Sequence, residues 1–545
     1  MNNKTSRRIV ILGGGFGGVF AAKQLQARAG DDVEIELISR NNFFVFQPLL
    51  SEVAGGSIQP ADSVSPLRAF LPRVNVRVAE IRKVDFAAKT VHVTAGNGLE
   101  ITTVAYDQLV IALGQVVDLS RTPGLSDRAF ILKDVMDAFR IRNHVLQCLE
   151  AADGEADPVR KSRLLTVVAV GGGFTGVEAI GEVQDLIRNS LKYYRNIRAE
   201  EVRIVLIQHD PRIMPELPER LAGYAADKLR RRGIEIMLKT GVSSATMTGV
   251  VTDGGDTIEA ETIIAAIGNA PSPLTRSLNV PLERGKIVVD PCLRVQGVDD
   301  VWALGDNARI PLGDPNDPNV SYAPPLAQFA FREAKVLAQN VLAHLKGGAP
   351  KPFKYQSLGT MASLGGRTGV ADILGVKFTG FFAWAAWRLF YLSLLPSFRT
   401  KIRVAMDWTL DLMISRSIAE IRPIQAASRY IQFLPGDLVV EPGVDPGGLY
   451  VVTSGAFDSE TASTGEGATI QSRVLGPGDT FGVPLNGDDG PKTDRVSARE
   501  ASTVYFIEKA DLQRLAMATK FMKRHDGVQP PPSNTQTNPA ADAPS

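Results

Sequence analysis

The chain has 545 residues, too many for one ordinary hydrophobic core, so several domains and a large interior are expected. Lys and Arg number 60 against 59 Asp and Glu, a formal charge of +1, so no global field would hold a polyanion and nucleic acid is excluded as a first partner. With 44% hydrophobic and 22% charged residues it reads as neither disordered nor polytopic, and the composition to be explained is its 50 glycines, about 9% against the usual ~7%.

In chain order, MNNKTSRR runs directly into the strand-like IVIL, which reads as a folded start and not as a signal peptide with an apolar core and cleavage site, so a cytosolic location is expected. Arg8 to Leu12, then GGGFGG, then a helix from Phe16 to Ala29, then VEIELIS form a β-α-β unit with G-x-G-x-x-G at Gly13, Gly15 and Gly18. YDQLVIALG, Tyr106 to Gly114, is a buried strand ending in a glycine that lets backbone approach a ligand. LLTVVAV, GGGFTG at Gly171, Gly173 and Gly176, a helix through Leu186 and VRIVLIQ then repeat the first unit. DDVWALGDNARI puts Gly305 and Asp306 after a further strand, at the carboxyl edge where open α/β sheets hold ligands. A helix N-cap is the alternative role for that aspartate.

GFFAWAAWRLFYLSLL, Gly380 to Leu395, is aromatic and apolar but interrupted by Arg388, and too short for the roughly 20 residues a spanning helix needs. The basic run SFRTKIR and the amphipathic VAMDWTLDLMIS follow, with Asp407, Asp411 and Ser415 on one side and Met406, Leu410, Met413 and Ile414 turned away. That fits a helix lying in a membrane surface, with packed core as the alternative. After Arg422 the runs FLPGDLVVEPG, DPGGLYVVTSGAF, VLGPGDTFGV and STVYFIE, punctuated by turns, predict a small antiparallel barrel or jelly roll. Asp526 onward predicts a disordered tail. Cys148 and Cys292 build no disulfide framework, and the histidines at 92, 144, 209, 344 and 525 form no metal cluster, so no metal is expected.

The glycine turns carry the chemistry. The first glycine permits the bend, the second lets N–H groups reach a pyrophosphate, and the third lets helix pack on strand, while the helix N-terminus supplies partial positive charge. Packing alone would explain one copy; two in register predict two nucleotide sites.

These segments together resemble the two-dinucleotide-binding flavoproteins and, more narrowly, the type II NADH:quinone oxidoreductases. The resemblance rests on GGGFGG, ISRNNFFVFQPLL, LVIALG, GGGFTGVEAIGE, ALGDNA, APPLAQFA, FKYQSLGTMASLGGRTGVADILG and GFFAWAAWRLFYL, covering about residues 7 to 420. It implies an α/β fold with two Rossmann-like domains for FAD and NAD(P)H, an amphipathic membrane-binding segment and an appended β-roll. The FAD-binding domain would take residues 1–120 and 286–345, the NAD(P)H-binding domain 121–285, the membrane and quinone-access region 346–422, the β-roll 423–525 and the tail 526–545.

By that resemblance Gly13, Gly15, Gly18, Ser39, Arg40, Ala112, Gly114 and Asp306 hold FAD, with Gln47 and Pro48 beside its ring. Gly171, Gly173, Gly176, Gln208, Gly268 and Ala327 complete the cofactor-binding set. Gln328 would stand at the quinone entrance, and Glu178 where nicotinamide meets flavin, to orient the ring or relay protons. The partners implied are a membrane quinone and the cytoplasmic membrane surface, bound peripherally through Phe381 to Leu395, and a homodimer is left open.

Several positions depart from the family pattern. Ser39, followed by Arg40, stands where an acid often holds the adenosine ribose of FAD, and a serine can still hydrogen-bond it. Gln208, followed by His209 and Asp210, replaces the second unit's acid; it removes the repulsion of a 2'-phosphate, with Arg212 near, so measurable NADPH use is expected beside NADH. Arg332 replaces a second glutamine one turn after Gln328 and would either pair with Glu333 or alter quinone choice. Glu178 and Glu182, four apart on a helix, would form a solvated face were they not functional.

No cysteine pair follows the first motif, which disfavours disulfide reductases and sulfide:quinone oxidoreductases. A soluble NAD(P)H-dependent flavin reductase with a protein acceptor remains, though it leaves the aromatic stretch unexplained. The β-roll resembles a cyclic-nucleotide-binding domain, but Val483 stands where a ribose-binding glutamate is expected and Arg495 is an uncertain counterpart of the phosphate-binding arginine. A sensor with a degenerate reductase portion is the rival reading.

Overall fold

Short, continuously apolar runs feed parallel sheets covered on both faces, and here they do so twice. The computed structural model describes residues 6–95, 101–421, 429–441, 446–462, 470–483, 494–509 and 512; the expected tail, 526–545, and the first five residues lie outside them. The chain divides into two units, residues 1–93 with 103–423 and residues 94–102 with 424–545.

In the first unit a seven-stranded sheet is ordered Val301–Ala303, Gln108–Ile111, Arg7–Leu12, Val33–Ser39, Asn75–Asp85, Thr90–Ala95, Ile101–Ala105. The strands from Val301–Ala303 to Asn75–Asp85 pair in parallel, with Leu12 beside both Ile38 and Ile111, and Ile111 beside Ala303. Gly13, Ser39, Ala112 and the Gly305–Asp306 turn therefore emerge along one carboxyl edge, on both sides of the strand where the order reverses. A five-stranded sheet repeats the plan in the order Phe130–Ile131, Thr262–Ala265, Thr166–Val170, Arg203–Gln208, Ile234–Leu238. It aligns Val170 with Ile207 and Ala265, so Gly171, Gln208 and Ala266 share its edge.

A three-stranded antiparallel sheet, Gly359–Ser363, Gly369–Ile373 and Val376–Gly380, then leads into helices Phe381–Leu394 and Phe398–Met413. Residue types of the second helix segregate as its pattern predicts, but inside out: Thr400, Val404 and Trp408 are buried and Asp407 accepts the Gln59 N–H at 3.1 Å. Phe398 (77% exposed), Ile402, Met406, Leu410 and Met413 face outward. The first helix adds Phe381, Phe382 and Leu389 to this apolar surface while burying Trp384 and Trp387. One face of the helix pair is thus packed core and the other an exposed apolar surface. No helix among the described residues is long and apolar enough to cross a membrane.

The second unit contains two four-stranded antiparallel sheets, ordered Arg429–Phe433, Ser502–Glu508, Gly448–Ser454, Thr480–Gly482 and Leu438–Val440, Asp494–Ala498, Phe457–Ala462, Ile470–Leu475. Phe433, Phe457, Phe481 and Val504 lie in the core between them. Val483 packs with Leu449 and Leu512, and Arg495 is exposed.

Candidate functional site

Each glycine turn is built by steric exclusion. Gly13 adopts φ +110° and Gly171 φ +105°, conformations closed to residues with a Cβ. A Cβ on Gly18 would overlap the Gly13 carbonyl oxygen, and one on Gly176 the Gly171 carbonyl oxygen. Gly15 and Gly173 differ: a Cβ there meets no atom within 4 Å, and each caps a helix with no side chain bonded to the free N–H groups. Contrast helix Val135–Asp153, whose first N–H groups are bonded by Asp134 in a capping box. Two helix N-termini left open behind flat glycine backbone are fitted to phosphate, so the residues present suit a dinucleotide in each unit.

Between the two turns lies a cavity of about 560 Å³. The segments around the seven-stranded sheet contribute Gln47, Pro48 and Asp306, the helix after the five-stranded sheet's glycine turn contributes Phe174, Thr175 and Glu178, and helix Ala327–Leu345 contributes Ala327, Gln328 and Arg332. Tyr391 and Leu394, on the first of the two helices with the apolar outer face, close the far wall. The structure therefore brings Gln47, Pro48, Glu178, Asp306, Ala327 and Gln328 to one chamber. The phosphate-turn glycines, Ser39, Arg40, Gly114, Gln208 and Gly268 lie outside its wall. Among these, Arg40 is exposed beside Glu80, Gly114 donates its N–H to Asn307, and Gly268 gives room for the Asp118 carbonyl.

Glu178 corrects the reading of a solvated carboxylate face. Its Oε1 accepts the Ser363 N–H at 3.0 Å and the Trp387 indole N–H at 3.2 Å, leaving Oε2 without a partner among the described residues. Burial pushes its carboxyl up to about 8, with a smaller push from Glu52 and Glu182. Glu182 is fully buried, and burial raises it to about 8, while Arg416 beside it at 3.1 Å acts in the opposite sense. Burial also raises Asp306, against Lys133 and Lys286.

Gln328 does not cap its helix. Its amide donates to Ser357 Oγ at 3.2 Å and its oxygen accepts the Tyr355 hydroxyl at 3.1 Å. Arg332 does not pair with Glu333, which is turned inward to accept the Gly305 N–H at 2.8 Å. The guanidinium instead lies 4.3 Å over the Tyr355 ring. Gln208 is likewise committed: its oxygen accepts the Gly172 N–H at 2.6 Å and its amide donates to Asp210 at 2.7 Å. It tightens the turn, and the neutral strand end expected from the sequence carries the Asp210 carboxylate instead.

Arg388 is the largest departure from expectation. It belongs to no surface cationic patch; it is buried between Trp384 and Trp408, 4.1 and 4.8 Å from their rings, with Glu52 at 3.0 Å and Asp411 at 3.8 Å. Trp408 also donates to Glu52 at 2.8 Å. A buried guanidinium is tolerated only with such partners, and the cluster fixes both outer helices onto the segment that carries Glu52. Lone charges in an apolar run, Arg388 in its helix and Glu52 in LLSEVA, were the only sequence signal of it.

Fold and site together define a two-dinucleotide oxidoreductase, and residues 7–334 match the pyridine nucleotide-disulphide oxidoreductase family. Residues 357–417 match the NDH2 C-terminal domain and residues 430–519 the cyclic nucleotide-binding domain. The chain is 34% identical over 425 residues to a type II NADH:quinone oxidoreductase of Mycobacterium tuberculosis, covering 75% of this chain and 89% of that protein. It is 32% identical to a demethylphylloquinone reductase of Synechocystis, covering 74% and 95%. The fold of NDH2 from Plasmodium falciparum in complex with NADH superposes with a TM-score of 0.71 at 21% identity, over 76% of this chain and all of that one. The chain belongs to the type II NADH:quinone oxidoreductase family.

Proposed function

We propose that the chain is an FAD-dependent NADH:quinone oxidoreductase that works peripherally on the cytoplasmic face of the membrane and moves no protons across it. One observation carries the reading: a single chamber is walled by Glu178 of the second nucleotide unit, Asp306 of the first, and Tyr391 and Leu394 of a helix whose other face is apolar and exposed. Such a chamber can accept a soluble nucleotide from one side and a lipid-soluble quinone from the other.

The open N-terminus behind Gly15 would hold the pyrophosphate of FAD, and Asp306 would accept a hydroxyl of its ribityl chain. When bound, FAD supplies hydride and electron transfer between nicotinamide and quinone. The N-terminus behind Gly173 would bind NADH, and Asp210 supplies the negative charge that disfavours a 2'-phosphate, so NADH is the preferred donor and NADPH a weaker one. Burial keeps the Glu178 carboxyl toward its protonated form at neutral pH, and the Ser363 and Trp387 N–H groups that donate to Oε1 fix its orientation, leaving Oε2 to orient nicotinamide or pass the proton. Gln328, steadied by Tyr355, presents an amide to a quinone carbonyl.

Helix Phe381–Leu394 spans only about 21 Å, short of a ~30 Å hydrocarbon core, which supports docking rather than crossing. In the β-roll, Val483 offers a buried apolar side chain where a ribose hydroxyl would need an acceptor, which argues for a role other than cyclic-nucleotide binding. The test is steady-state NADH and NADPH oxidation by flavin-replete, detergent-solubilised protein with and without a soluble quinone. Quinone should accelerate turnover; acceleration by ferredoxin or a disulfide alone would refute the assignment.

A further inference from the structure

Arg332 and Arg388 both lie against aromatic rings near the chamber, and they differ in what else they touch. Arg388 is neutralised by Glu52 and Asp411. Arg332 lines the cavity, half-buried, and among the described residues its guanidinium makes no ion pair; its hydrogen bond runs from Nη1 to the Gln328 carbonyl at 2.9 Å. The adjacent acid, Glu333, is spent on Gly305. Lys133, the other cation of the wall, also has no side-chain partner among the described residues. Burial holds the wall's two carboxyls, Glu178 and Asp306, toward their neutral forms. A cation held in an apolar chamber without a counterion is costly unless a ligand supplies the charge.

Resting on the quinone-reductase reading, we propose that Arg332 is the residue that selects the acceptor by charge, favouring quinones that carry an ionised ring hydroxyl. The same group serves the reaction. The two electrons and one proton that leave NADH reach the quinone as a net hydride, turning one carbonyl into a hydroxyl and the other into an oxyanion. Water then supplies the second proton to complete the quinol, and NAD+ remains. Before that proton arrives, the oxyanion is monoanionic and within the field of Arg332, whose orientation is fixed by the Tyr355 ring. A glutamine in this place would offer a dipole only.

The experiment compares 2-hydroxy-1,4-naphthoquinone, an enolate at neutral pH, with the neutral 2-methoxy compound, in the flavin-replete wild type, Arg332→Gln and Arg332→Lys. Binding is read by fluorescence quenching without NADH, and KM and kcat separately with it. The wild type should bind the enolate about tenfold more tightly than the ether, Arg332→Gln should lose that ratio, and Arg332→Lys should retain most of it. A merely packing role for Arg332 would weaken both quinones equally and overturn the proposal. Should Arg332→Gln fail to retain flavin, the lysine variant decides: a ratio lost there despite the kept charge also overturns it. A wild type that reduces a neutral soluble quinone yet shows no preference sinks this inference alone, whereas one that reduces no quinone removes the reading beneath it as well.

Discussion

The two nucleotide units share their turn geometry closely. Gly13 donates to Ile38 at 2.9 Å and Gly171 to Ile207 at 2.8 Å, and the neighbouring strand bonds, Ala112 to Leu12 and Ala266 to Val170, are both 2.8 Å. They diverge at the end of the second strand. Among the described residues the Ser39 hydroxyl accepts the Asn41 N–H alone, at 3.3 Å. Gln208 is locked between Gly172 and Asp210. The phosphate end of a dinucleotide site is thus fixed by backbone sterics common to both units, and its ribose end by side chains free to differ.

The largest effect that probes the shared part comes from substituting the third glycines. Gly18→Ala or Gly176→Ala drives a Cβ into the carbonyl oxygen of the turn, and a loss of about 3 kcal/mol, or failure to fold, is expected in chemical denaturation. Gly15→Ala and Gly173→Ala, at open positions, should keep the denaturation midpoint of the flavin-free chain while weakening FAD and NADH binding respectively. Equal destabilisation by all four would break the distinction between packing glycine and phosphate glycine.

A smaller effect tests the divergent part. Asp210→Asn removes the charge that Gln208 positions, and should raise kcat/KM for NADPH relative to NADH about tenfold. An unchanged ratio would show that Asp210 does not face the ribose.

The smallest concerns Glu178, which has no counterpart in the first unit's turn, where Phe20 stands five residues after Gly15 as Glu178 stands five after Gly173. Its carboxyl keeps a proton in the folded chain up to about 8, whereas the ordinary value is 4.5. Folding therefore takes up a proton, and this contribution to stability is full below the ordinary value and lost as pH rises to about 8. Glu178→Gln should flatten the fall of Tm across that window by about 5 °C, with the remaining slope carried by Glu182. A variant whose Tm falls as steeply as the wild type's would place Glu178 in contact with water.

Both glycine turns, the strands that feed them and the terminal β-roll were legible in the sequence, because each is set by local rules: period, turn chemistry and positive φ. The outward apolar stripe of Phe398–Met413 was legible for the same reason, its side chains being fixed by helical spacing. Partners across the fold were not. Arg388 read as one more cation near a basic run, yet Glu52, which neutralises it, lies 336 residues earlier. Lys133 lay in no motif, and Tyr391 stood out only as part of the aromatic stretch; both became cavity wall through packing.

By itself, then, the sequence determined that two phosphate-binding turns, an amphipathic surface element and a β-roll exist, since a glycine pattern or an apolar period acts over a few residues. Tertiary structure alone decided that Glu178 is half-buried and hydrogen-bonded and Glu182 ion-paired rather than solvated, that Gln208 serves its own turn, and that Arg332 has no carboxylate partner among the described residues while Arg388 has two. Charge and proton affinity depend on what surrounds a group in space, and desolvation and ion pairing are settled only when distant segments meet.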